Sequence, residues 1–174
     1  MKRKLLLWQL SGFAVTSFLG TLLHFLYEWT DNSILVAPFS GVNESTWEHM
    51  KLIFWPMLIF AIVESFFFKD QNDFCSIKLK GILLGIFLIP LIFYMSNGIF
   101  GKTPDSFNIA IFFISALSAY IYEAHLLKKE RKNYLSNKSA VLLLVLIALS
   151  FIFFTFFPPE IALFEDPLTG GYGI

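Results

Sequence analysis

Five stretches of predominantly apolar residues, over about 5–28, 50–68, 79–99, 107–127 and 140–157, constrain this chain more than any other feature. Each approaches or exceeds the roughly 18 residues a helix needs to cross the hydrocarbon core of a bilayer. Lipid offers no hydrogen bonds, so backbone groups inside it must pair within their own segment, and each run is expected to be an α-helix. The chain therefore reads as an all-α, polytopic membrane helix bundle, a single integral domain over residues 1–174, multi-pass in the cell membrane. A hydrophobic share of 56% supports that class over a soluble domain. Lys2-Arg3-Lys4 ahead of the first run resembles the opening of a signal peptide. The apolar stretch is too long for one and no small-x-small cleavage site follows, so a retained anchor is expected.

Charge placement predicts orientation. With the N-terminus inside, the inner segments carry Lys2, Arg3, Lys4, Lys69, Lys78, Lys80, Lys128, Lys129, Arg131, Lys132 and Lys138, and the outer ones only Lys51 and Lys102. That bias puts the C-terminus outside. The outer face then collects Glu28, Asp31, Glu44, Glu48, Asp105, Glu160, Glu165 and Asp166, an acidic surplus that favours cations. With 13 basic and 13 acidic residues the chain lacks the positive stripe a nucleic-acid binder needs. A lone cysteine, Cys75, excludes an internal disulfide or a CxxC site.

The densest polar run, from Gly41 to Lys51, sits at the outer mouth of the second segment. Polar residues beside a bilayer are expensive and mark candidate sites. His24 and Glu28, four apart, share a face at the outer end of the first helix; Glu44 and Glu48 have the same spacing, and His49 adjoins them. Together His24, Glu28, Glu44, Glu48 and His49 form a set of nitrogen and oxygen donors suited to a divalent metal such as zinc or manganese. A plainer reading competes with this one. Ser45-Thr46-Trp47-Glu48 matches a capping box, and Glu48 can pair with Lys51. Capping leaves Glu44, His49 and the His24–Glu28 pair unexplained.

Deeper in the chain, Glu64 and Glu123 are intramembrane acids at comparable depth on helices running the same way. They read as structural hydrogen-bonding groups or as a proton-relay element, with Tyr120 or His125 as partners. Pro56 falls near the start of the second helix and Pro90 mid-way along the third, where a kink is expected. Gly81 and Gly85, and Ser115, Ala116, Ser118 and Ala119, form small-residue faces for close packing, against neighbouring helices, a second copy or another membrane protein. The tail after Pro158-Pro159 is apolar, then rich in turn formers, and can fold back over the outer mouth, where Asp166 would join the candidate contacts. No Ser-His-Asp set, GxSxG, P-loop or HExxH is present.

His24-Phe25-Leu26-Tyr27-Glu28-Trp29, the Val42-to-Leu52 motif with Phe54 and Pro56, and Pro159-to-Gly170 together resemble a domain-of-unknown-function family. Its members are small multi-helix integral membrane proteins found mainly in Gram-positive bacteria. The family usually places proline where this chain has Gly41 and Ala162. The resemblance spans almost the whole chain and implies a membrane fold but no activity. The leading functional expectation is a binding protein whose extracytoplasmic acidic mouth holds a metal ion or a cationic group. A metal-dependent hydrolase acting on lipid or envelope substrate is the second, with the metal activating water and a glutamate as base. A non-catalytic accessory or immunity-type partner of another membrane protein is the third.

Overall fold

The structure is a computed structural model that describes residues 2–68, 71–128 and 135–174. Lys69, Lys129, Arg131 and Lys132, which enter the orientation argument, lie outside the described residues. Five helices follow in order: α1 Lys2–Trp29, α2 Thr46–Ser65, α3 Phe74–Phe100, α4 Asp105–Lys128 and α5 Asn137–Phe156. All five are long and apolar enough to cross a membrane. Each starts within about five residues of its expected position, chiefly because hydropathy ends where the polar first or last turn begins.

Helices α1 to α4 form a ring in which α1 packs on α2 and α4, and α3 on α2 and α4, while α5 lies against the outside of α3. We call the end holding the α1 C-terminus, the α2 N-terminus and the tail the mouth, and the opposite end the base. Helix α2 is the most enclosed, with Ile53, Phe54, Met57 and Phe60 in the core. Helix α5 contributes only Ala140, Leu144, Phe151 and Thr155 to burial and leaves Leu142, Leu146 and Phe153 outward, where lipid would cover them.

Local chemistry sets the loop that matters. Asp31 and Asn32 take positive φ (52° and 57°), a conformation these two residue types tolerate, and turn the chain out of α1. The loop then folds back on α1. Ser40 Oγ donates to the Leu23 carbonyl and accepts from the Tyr27 N–H (3.0 Å), and the Gly41 N–H donates to the same carbonyl (3.2 Å). A proline at position 41 would lose that last bond. Ser45 caps α2, its hydroxyl accepting from the Glu48 N–H. The expected capping box is only half formed. The Ser45 N–H donates to Asn43 Oδ1 (2.9 Å), while the Glu48 carboxylate accepts from Val42 instead.

Pro56 has no N–H to offer the Leu52 carbonyl four residues earlier. Gly20 of α1 packs against that freed oxygen; a Cβ there would stand 2.7 Å from it and 2.4 Å from Phe112. Gly85 does pack helix to helix, against Ile53 and Ala119. Gly81 has a different reason to be small. A Cβ on it would meet Glu123 Oε1 at 2.2 Å, so the missing side chain houses a carboxylate rather than a helix.

The tail folds back over the mouth. The Trp47 N–H donates to the Leu163 carbonyl (3.0 Å), Tyr94 Oη to the Ala162 carbonyl (2.8 Å) and Asn43 Nδ2 to the Gly173 carbonyl (3.0 Å). The Trp47 ring is wedged among Phe151, Phe154 and Phe164. Asp166 turns inward to its own turn, accepting from the Leu168 N–H and the Thr169 hydroxyl, and does not join the candidate contacts.

Candidate functional site

The five-residue donor set divides. His24, Glu44 and His49 converge: His24 Nε2 lies 3.6 Å from Glu44 Oε1, and His49 Nε2 lies 3.5 Å from Glu44 Oε2. The two imidazoles stand 5.6 Å apart between ring centres. Docking of Ser40 and Gly41 onto Leu23, next to His24, is what carries Glu44 to α1.

Glu48 goes elsewhere. Its carboxylate is buried against Lys51 (2.6 Å) and accepts the Val42 N–H (3.0 Å). Lys51 Nζ also donates to the Ala37 carbonyl and to Thr155 Oγ1, both at 2.9 Å. An ammonium has three protons, and here each has an acceptor. This knot ties the 30–45 loop, α2 and α5 together, so Glu48 is a structural group. Glu28, on the exposed side of α1, stands apart from the cluster. Among the described residues, no group of three or more His, Cys, Asp or Glu is arranged to hold a metal ion. The expected five-ligand site therefore does not assemble: Lys51 captures the Glu48 carboxylate, and Glu28, one turn beyond His24, is exposed.

The trio opens into a cavity of about 800 Å³ between α1, α2, α3 and α4. Its size falls within the range of ordinary small-molecule sites. Two chemistries line it. Gly20, Leu52, Ile89, Phe93, Phe112 and Phe113 make an apolar body, while His24, Glu44 and His49 sit at one polar edge. Tyr94, Asn97, Lys102, Thr103 and Asn108 form another polar edge, and Pro167 and Leu168 of the tail approach the opening. Asn97 Oδ1 is already committed, accepting from the Thr103 N–H (2.9 Å) and hydroxyl (3.1 Å). Glu44 has only the two longer imidazole contacts among the described residues, and its side chain is 42% exposed.

His49 makes the electrostatics of the trio specific. Its Nδ1 faces the Ser45 carbonyl at 2.9 Å. A carbonyl only accepts, so Nδ1 carries the hydrogen and Nε2 turns toward Glu44. In a neutral imidazole, that Nε2 lone pair and the Glu44 carboxylate are two acceptors face to face. The contact becomes attractive when the ring takes a second proton, or when a cationic group lies between them.

Two groups in this half of the molecule reach long-range partners. Lys51 pairs with Glu48 as expected and is also the hub of a sealed knot. Tyr94 lines the cavity and also holds the tail, which shapes the cavity mouth. The long-range partners Ala37 and Thr155 carry no motif, so nothing in the local sequence points to them, whereas Ala162 lies in the tail that was expected to fold over the mouth.

No curated protein matches the chain, and no solved structure does. Over residues 1–174 the chain belongs to a family of unknown function, DUF6512.

Proposed function

We propose that this protein is an integral membrane binding protein that takes up an amphiphile with a cationic polar end. The ammonium or similar group sits on Glu44 between His24 and His49, and the apolar part lies along Leu52, Ile89, Phe93 and Phe112. The observation that carries this reading is one cavity with an apolar body and, at its edge, a half-exposed carboxylate flanked by two imidazoles. A soluble cation would need no apolar chamber, and a purely apolar guest would need no carboxylate. The distribution of Lys and Arg favours the mouth facing the extracytoplasmic side, where the guest would enter from the outer leaflet.

The test uses the full chain in lipid nanodiscs and a fluorescent long-chain alkylammonium, with the matching alkyl sulfate as control. The alkylammonium should bind saturably, and Glu44→Gln should weaken it about tenfold or more, the loss of one charge-assisted contact. Equal binding of ammonium and sulfate, or no change in Glu44→Gln, would sink the proposal. Competition by zinc or manganese at the wild-type trio, lost in His24→Ala, would instead revive a metal-binding reading of these residues.

A further inference from the structure

A second polar cluster lies at the base, apart from the mouth and without a role in the binding reading. Lys78 of α3 is buried between two carboxylates, Glu64 of α2 and Glu123 of α4, in contact with Oε2 of each. All three side chains are sealed: Glu64 and Glu123 are 0% exposed and Lys78 2%. From α1 the facing side chains are Gln9, whose Nε2 donates to Glu64 Oε1 (3.2 Å), and Thr16, bonded to the Tyr120 hydroxyl (2.8 Å). From α4 the titratable groups are Glu123 and Tyr120, whose ring lies 5.8 Å from Lys78 Nζ. Trp8, Phe67 and Phe68 pack over one another at the base end, and Phe68 stacks on Phe74, whose ring lies 5.6 Å from Lys78 Nζ.

Charge counting makes this cluster more than a salt bridge. Among the described residues, two ionised carboxylates and one ammonium leave one negative charge uncompensated in a dry interior, which is costly. One carboxylate oxygen also has no partner among the described residues: Glu123 Oε1 is buried, makes no hydrogen bond to any of them, and rests against the backbone that Gly81 leaves bare. Gln9 Oε1 is likewise buried and unpartnered. An amide can turn over, so Gln9 can donate to an ionised Glu64 or accept from a protonated one. Among the described residues the cluster thus lacks one positive charge, and it holds a hydrogen-bonding neighbour that suits either state.

We propose that Glu64, Lys78 and Glu123 form a proton-binding site that holds one proton shared between the two carboxyls. The ligand is the proton itself, and it reaches the site from the base, where Trp8 packs on Phe67 and Phe68. Binding turns a net negative cluster into a neutral one; release restores the charge and requires water or a cation to reach it. Glu64 and Glu123 belong to different helices, so the proton count links the positions of α2 and α4 through Lys78.

Infrared difference spectroscopy of the full chain in lipid reads this directly. At neutral pH the wild type should show a protonated-carboxyl C=O band that shifts in heavy water. Glu123→Gln should abolish it, because Glu64 and Lys78 then balance as a charged pair, and Glu64→Gln should do the same. Lys78→Met should strengthen the band, since both acids must then be neutral. No such band in the folded wild type would overturn the proposal, as would a band unchanged in both glutamine variants. The wild-type spectrum decides even where a variant fails to fold.

Discussion

Glu44 and Glu48 stand one helical turn apart in the sequence, and the molecule treats them in opposite ways. Glu48 faces the α5 side of the loop, buried with Lys51, and each charge there finds complementary partners. Glu44 faces the α1 side, half exposed to a chamber, between two histidines that satisfy it only under particular conditions. Saturated polar groups rigidify a fold, while unsaturated ones at a cavity are available to a guest. One face of the loop therefore builds the mouth and the other presents a site.

The contrast can be broken most forcefully at Lys51. Lys51→Met leaves Glu48 buried without its cation and should cost about 3–5 kcal/mol, seen as a large drop in thermal midpoint in detergent. Adding Glu48→Leu to that variant should recover part of the loss, because a sealed pair can be exchanged for apolar packing more cheaply than it can be halved. Next in size is Gly20→Ala. It pushes α1 off the Leu52 carbonyl and Phe112, and should cost about 1–3 kcal/mol and alter the cavity, read as lost stability together with weaker alkylammonium binding.

Tyr94→Phe removes the bond to the Ala162 carbonyl and should cost about 0.5–1.5 kcal/mol, with the tail beyond Pro159 becoming more open to limited proteolysis. Glu44→Gln should be the mildest for the fold, within about 0.5 kcal/mol of wild type. Its thermal midpoint should stay put while amphiphile binding falls. A loss of stability in Glu44→Gln comparable to that of Lys51→Met would erase the distinction between the two carboxylates.

Much of the architecture was legible in the chain. Five apolar runs become five helices, since a bilayer leaves a segment of that length no other way to satisfy its backbone. The His24–Glu44–His49 convergence was partly legible, because motif density marked the loop and helical spacing marked His24. Membership of Glu28 and Glu48 in one donor set was not. Spacing fixes which side chains share a helix face, but it is silent on which face a neighbouring helix will cover.

The base cluster shows the same division. Glu64 and Glu123 were recognisable as intramembrane acids, yet the expected partners, Tyr120 and His125, are not the ones used. His125 is exposed and Lys78 takes both carboxylates. Hydropathy had assigned Lys78 to a charged loop, since a lysine at the edge of an apolar run is ordinarily solvated. It becomes a buried residue only when α2 and α4 bring acids to it from 14 and 45 positions away in the chain. Composition and periodicity by themselves determined the class, the number of helices and the neighbourhood of the site, because those follow from one residue's transfer between water and lipid. Which carboxylate is locked, which is open and which lysine is sealed were decided by tertiary structure alone, because pairing energy depends on distances that only the assembled helices set.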